Sequence, residues 1–163
     1  MKRRLAIFVF FFICISGSLK AQTPAAVIPD FTFFTLDGVP YSSKSIPGGK
    51  PILFSFFDVT CPHCQTTMKT FAAHSAELKG ISVFLVTLDG KDAVNNFMNT
   101  YGSGLSGLRN LVILEDVNHE FIPKFQPTKY PSVFLYNKNK KLEVYENDEK
   151  RVINVLDKIK TLK

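Results

Sequence analysis

The sequence contains no tryptophan, no internal repeat, no low-complexity segment and only three cysteines. It also lacks an apolar run of the roughly 20 residues that a bilayer-spanning helix needs. The run at Leu5–Ile15 has 11. These absences exclude repeat arrays and a cysteine-dense scaffold, and they make a membrane-spanning helix a secondary reading. Large single-sign charge is missing too. The chain carries 20 Lys+Arg against 14 Asp+Glu, but four of the basic residues and none of the acidic ones fall within residues 1–21. The remainder holds 16 against 14, close to balance. That excludes the basic face expected of a nucleic-acid binder. Lys138, Lys140 and Lys141 read as a solvated turn.

What is present begins with a leader-like start. Lys2, Arg3 and Arg4 precede the apolar run, then come Ser16-Gly17-Ser18 and Ala21-Gln22. This is the order of a secretory signal peptide. Residues 1–21 are expected to be removed, with a retained membrane anchor as the alternative, and an extracytoplasmic, periplasm-like location follows. Cys14 lies inside the run and is discarded with it. The 163 residues thus divide into a signal peptide (1–21), an entering linker (22–30) and one domain (31–163) long enough to bury a core.

Periodicity predicts the elements of that domain. Phe31–Thr35 and Val39–Ser42 flank an Asp37-Gly38 turn. Ile52–Phe57 is a continuous apolar run suited to a strand buried on both faces. Cys61–Lys79 has helical spacing, with Cys64, Met68, Phe71, Ala72 and Leu78 on one face and Gly80 as its stop. A strand over Ile81–Leu88, a helix over Asp92–Tyr101 and a strand over Leu111–Leu114 follow. Asn118–Phe125 reads as a short helix disturbed near Pro123, with His119 at its start. A hairpin over Ser132–Tyr136 and Leu142–Tyr145 precedes a last helix capped by Asp148. Strands alternating with helices imply an α/β domain with helices on both faces of a sheet.

Cys61-Pro62-His63-Cys64 carries the chemistry. With Cys61 as N-cap, Pro62 suits the first helical position because the N–H it lacks would go unpaired there. Cys64 then lies one turn on, within disulfide reach. The helix N-terminus favours a thiolate at Cys61, which is the attacking nucleophile, and Cys64 becomes the resolving thiol. An imidazole at His63 adds to that bias and moves the pair in the oxidising direction. A purely structural disulfide would close too short a loop to remove much chain entropy. A structural zinc site normally takes four protein ligands, and no second cysteine pair exists. No cofactor and no metal ion are expected. His74 and His119 read as surface or capping residues.

The sequence resembles the TlpA-like branch of the thioredoxin superfamily, the exported redoxin-like thiol-disulfide oxidoreductases. The likeness runs over Pro29-Asp30-Phe31-Thr32 with Leu36-Asp37-Gly38, over Gly49-Lys50-Pro51-Ile52-Leu53-Phe54, and over Tyr130-Pro131-Ser132-Val133-Phe134-Leu135. It implies a thioredoxin-like fold, a central mixed β-sheet flanked by helices with an N-terminal β-hairpin extension. It also implies a cis peptide before Pro131, set against the cysteine pair, with the Tyr130 backbone open to a peptide added as a strand. Three departures stand out. Thr60 replaces the usual tryptophan before the first cysteine. Ser55 occupies the position six before it, where some members carry an acid. The Pro-His dipeptide is of the oxidising DsbA type.

The expected function is exchange of protein thiols and disulfides through Cys61 and Cys64, supported by Pro62, His63, Tyr130 and Pro131. The expected partners are protein substrates and an upstream redox partner. A dithiol oxidase and a thioredoxin-like metallochaperone are the alternatives. A peroxidase is disfavoured because Asp58 stands where the peroxidatic site has threonine.

Overall fold

The computed structural model describes residues 23–163, so the expected signal peptide lies outside the described residues. Seven strands form one mixed sheet. β1 (Thr32–Thr35) and β2 (Pro40–Ser42) are joined through Gly38, whose φ of 77° is the left-handed geometry that glycine tolerates. β3 (Ile52–Phe56), β4 (Ser82–Thr87) and β5 (Leu111–Glu115) follow, then β6 (Ser132–Tyr136) and β7 (Leu142–Glu146). The order across the sheet is β2-β1-β5-β4-β3-β6-β7. β3, β4 and β5 run parallel, and the remaining pairings are antiparallel. The N-terminal hairpin therefore extends the sheet beyond β5.

Helices α1 (Pro62–Ala73) and α2 (Lys91–Tyr101) make the crossovers β3–α1–β4 and β4–α2–β5. Both crossovers step the same way across the sheet, so their common right-handed sense puts both helices on one face. α3 (Phe121–Phe125) precedes β6, and α4 (Val152–Leu162) ends the chain. Alternation along β3 divides the core in two. Leu53 and Phe57 face Cys64, Met68 and Phe71 of α1, Val94 and Phe97 of α2, and Val152, Val155, Leu156 and Ile159 of α4. Ile52, Phe54 and Phe56 face an aromatic layer with Phe31, Phe33, Phe84, Phe121, Phe125, Phe134 and Tyr136. Ring centroids there lie 5.0 Å apart for Phe54–Phe84 and 4.2 Å apart for Phe121–Phe125.

Four local expectations are corrected. The helix expected to reach Lys79 stops at Ala73. Turns over 74–80 bring Leu78 into the core at 0% exposure, and Asn110 Nδ2 donates to the carbonyls of Leu78 and Ile81 to hold them. Pro123 does not disturb α3, because it lies in the first turn, where backbone N–H groups have no helical partner. That helix starts at Phe121 and not at Asn118, and His119, read as a surface or capping residue, is an exposed one with φ 54°. The capping is done by Asp116, buried at 1% exposure, whose carboxylate accepts from Glu120 N at 2.8 Å and Phe121 N at 2.7 Å. Asp148 accepts from Lys150 N in a turn ahead of α4, which starts at Val152.

The entering segment is tied down. Ala25 N donates to Phe125 O, Ile28 N to Lys140 O, and Val27 bridges Lys141. Among the described residues no helix is long and apolar enough to cross a membrane.

Asp116→Ala leaves the buried N–H of Phe121 and the partly buried N–H of Glu120 unpaired at the start of α3 and is expected to cost about 1–3 kcal/mol of stability. Asp116→Asn, which keeps one acceptor oxygen, should cost less. Urea unfolding of the two variants beside the wild type checks the order.

Candidate functional site

The parallel strands β3, β4 and β5 end on the same edge of the sheet, and the loops leaving them build the site. Residues 57–61 leave β3. Phe57 N still bonds Val86 O at 3.0 Å, so the loop starts anchored to β4. Val59 N donates to Asp89 Oδ2 at 3.0 Å, and Thr87 Oγ1 donates to the same oxygen at 2.8 Å. Asp58 turns its carboxylate onto its own loop, accepting from Thr60 N at 2.7 Å and Thr60 Oγ1 at 2.6 Å. Thr60, which stands in the place of a tryptophan, thus holds the loop by hydrogen bonds.

Cys61 caps α1 in extended conformation (φ −76°, ψ 117°), and Pro62 takes the first helical position. The first helical bond runs from Gln65 N to Cys61 O at 3.1 Å. Both cysteines are free thiols; Cys61 is partly exposed, whereas Cys64 is buried. Burial is the main reason the Cys64 thiol is pushed far above the ordinary range. A backbone hydrogen bond involving Asp58 works against it, and the neighbouring Cys61 and the Asp58 charge add to it. One thiol of the pair is accessible at a helix N-terminus, and the other is a sheltered, protonated acid.

The peptide between Tyr130 and Pro131 is cis, and Pro131 is buried. The Tyr130 ring stacks on Phe56 at 4.8 Å, which joins this segment to the end of β3. Its hydroxyl is pushed up to about 12, mainly by burial, and next by the charges of Asp58 and Asp89. Cys64 and Asp116 act on it in the same direction, which places Tyr130 within electrostatic reach of the buried cysteine. Behind Pro131, Ser132 Oγ donates to Lys129 O at 2.6 Å and lies 2.8 Å from the Tyr145 hydroxyl. A shallow groove of about 250 Å³ lined by Phe56, Ile122, Pro127, Thr128, Lys129 and Tyr130 runs beside this segment. A larger cleft of about 550 Å³ opens at the other end of the sheet, beside Lys50, Pro51 and Lys138, and no cysteine lines it.

The sequence singled out Cys61, Pro62, His63, Cys64, Tyr130 and Pro131. Cys61, Cys64 and Tyr130 pack at one core. His63 turns outward, 63% exposed in its side chain, with Nδ1 3.2 Å from Oε1 of Glu149. Sequence reasoning missed Glu149, Asp89 and Asp116. Asp89 lies two residues after the end of β4 and Asp116 directly after that of β5, which is the one signal that could have marked them. Nothing in the sequence links Glu149 to residue 63. Ser55, on β3, is fully buried, and its hydroxyl and that of Thr67 on α1 have no hydrogen-bond partner among the described residues. Among the same residues no group of three or more His, Cys, Asp or Glu side chains is arranged to hold a metal ion.

Comparison with known proteins matches residues 24–145 to the AhpC/TSA family. No curated protein matches the sequence. Among solved structures the chain is similar to DsbF of Mycobacterium tuberculosis, with 20% identity, a TM-score of 0.65, and 84% of this chain and 99% of that one covered. It is also similar to a secreted M. tuberculosis disulfide oxidoreductase homologous to E. coli DsbE, with 18% identity, a TM-score of 0.63, and coverage of 78% and 95%. A third similar structure is the thioredoxin domain of a thiol-disulfide oxidoreductase from Bacteroides vulgatus, with 18% identity, a TM-score of 0.64, and coverage of 88% and 100%. At these identities the likeness establishes the thioredoxin-like fold.

The asymmetry of the two thiols has a direct chemical readout. Because only the thiolate alkylates, iodoacetamide at neutral pH is expected to label Cys61 of the reduced protein about tenfold or more faster than Cys64. The raised Cys64 thiol keeps its proton as pH rises, so its labelling should increase only in strongly alkaline solution. Peptide mapping of the alkylated protein across a pH series checks both points.

Proposed function

Starting from the chain's membership of the AhpC/TSA family, which residues 24–145 establish, we propose that it is an exported thiol-disulfide oxidoreductase that reduces or exchanges disulfides in extracytoplasmic proteins. The observation that carries this reading is the unequal pair: Cys61 partly exposed at the N-terminus of α1, and Cys64 buried one turn behind it. A structural disulfide has no use for that inequality. A two-step exchange requires it.

In the first step the Cys61 thiolate attacks one sulfur of a substrate disulfide. A Cys61–substrate bond forms, the substrate S–S bond breaks, and the second substrate sulfur leaves as a thiolate that takes up a proton. In the second step Cys64 gives up its proton and attacks the Cys61 sulfur. The mixed disulfide breaks, the Cys61–Cys64 bond forms, and the substrate leaves as a dithiol. Two electrons and the Cys64 proton pass from protein to substrate, the second proton comes from solvent, and an upstream dithiol partner must return the electrons. The high proton affinity of Cys64 keeps it from competing in the first step. The groove lined by Phe56, Ile122 and Tyr130, with the Tyr130 backbone, would give an extended peptide a place to lie.

The secreted M. tuberculosis oxidoreductase and the leader-like residues 1–21 support export. A dithiol oxidase is the second reading, favoured by the Pro62-His63 dipeptide. It uses the same steps in reverse.

Cys64→Ser is expected to accumulate mixed disulfides through Cys61 that dissolve on reduction, and Cys61→Ser should trap none. Non-reducing gels of the native extracytoplasmic fraction decide the matter: no trapped partner with Cys64→Ser counts against the function. Amino-terminal sequencing of the exported protein should begin at Gln22. An intact Met1 would mean the segment stays as an anchor.

A further inference from the structure

His63 is the residue whose chemistry conflicts with the rest of the site. An imidazolium beside Cys61 stabilises the thiolate and hence the reduced form, which makes the pair a stronger oxidant. The structure sets a carboxylate against it. Glu149 lies in the turn between β7 and α4, 86 residues from His63 in sequence, and its Oε1 is 3.2 Å from His63 Nδ1. The two side chains are unequally exposed, 63% for His63 and 17% for Glu149. The carboxylate is the sheltered, fixed member, and it anchors an imidazole that would otherwise swing freely in solvent.

Of the two cations of that turn, Lys150 and Arg151, the second is already engaged. Arg151 pairs with Glu146 at 3.1 Å and with Asp148 at 3.5 Å. Among the described residues His63 is the ion-pair partner of Glu149. Glu143, farther along the chain, pairs with Lys158.

We propose that Glu149 is a positioning residue that holds His63 in a charge-compensated pair and so withholds its positive charge from Cys61. The inference rests on the thiol-exchange reading and deepens it by naming a contact that tunes the pair: the pair is less oxidising than its Pro-His dipeptide alone would make it. The physical reason is the change from a charge to a dipole. A lone imidazolium stabilises a nearby thiolate with its full charge. An imidazolium paired to a carboxylate presents two opposite charges, whose fields largely cancel at Cys61. Solvent around His63 screens the interaction, so the effect is a few-fold change and not orders of magnitude.

The test is the equilibrium of the purified protein with glutathione, using Glu149→Gln, which keeps the shape and removes the charge. The equilibrium constant should move about three- to tenfold toward the reduced protein, a rise in potential of about 15–30 mV at 29.6 mV per tenfold. The shift should shrink as salt is added. In a His63→Ala background the same substitution should have no effect on the potential. A role confined to holding α4 in place would lower the unfolding midpoint of Glu149→Gln without moving the potential, and that result overturns the proposal. So does a fall in potential, or a shift that persists without His63. Partner trapping with Cys64→Ser is a separate measurement. Its failure would remove the functional reading while leaving the glutathione result to stand or fall by itself.

Discussion

β3 is hydrogen-bonded along both edges and buried on both faces, and the functional end of the molecule depends on that double confinement. It pairs in parallel with β4 from Ile52–Ser82 to Phe56–Val86, and antiparallel with β6 from Ile52–Tyr136 to Phe56–Ser132. A slip of one residue would exchange the aliphatic and aromatic faces, sending Phe54 and Phe56 into the helical layer. It would also carry the Cys61 loop and the segment at Pro131 out of alignment, because both leave this pairing at the same end. The strand thus acts as the ruler against which the Cys61 loop and the segment at Pro131 are set.

From that placement the division of labour between two identical side-chain types follows. Cys61 and Cys64 differ by three positions in a helix, and the difference puts one at the orphan N–H groups of the first turn and the other on the buried face with Met68 and Phe71. The charged groups around them act unequally. Asp89 and Asp116 are consumed in holding backbone N–H groups. Asp58 satisfies its own loop; its charge opposes ionisation of Tyr130 and Cys64, but at Cys64 its backbone hydrogen bond acts more strongly the other way. Where the resemblance leads one to look for a buried acid under the cysteines there is Ser55, so the burial of Cys64 acts without a carboxylate from that strand to take its proton.

Much of this was legible in local pattern. The run Ile52–Phe57 announced a doubly buried strand, the C-x-x-C with proline at the first helical position announced the site, and Val152, Val155, Leu156 and Ile159 announced the face of the last helix. Three boundaries were misread for one reason. Lys79, Asn118 and Asp148 were assigned by the propensity of their neighbours, whereas helix ends are decided by which groups satisfy the terminal N–H and C=O groups. Asp116 supplies such partners at the start of α3, and Asn110 holds the turns that follow α1 by donating to Leu78 O and Ile81 O.

By itself, then, the sequence determined the elements, the two faces of the core and the placing of the cysteine pair at the start of α1, because each depends on periodicity or on residues within one turn of one another. Tertiary structure alone decided the surroundings of the pair. Glu149 meets His63, Asp89 meets Val59 and Phe56 meets Tyr130 across 86, 30 and 74 residues. Contacts at such separations have no period to betray them. They arise when the sheet order brings loops from β3, β4, β5 and β7 to a common end, and electrostatics at Cys61 and Cys64 are set by what arrives there.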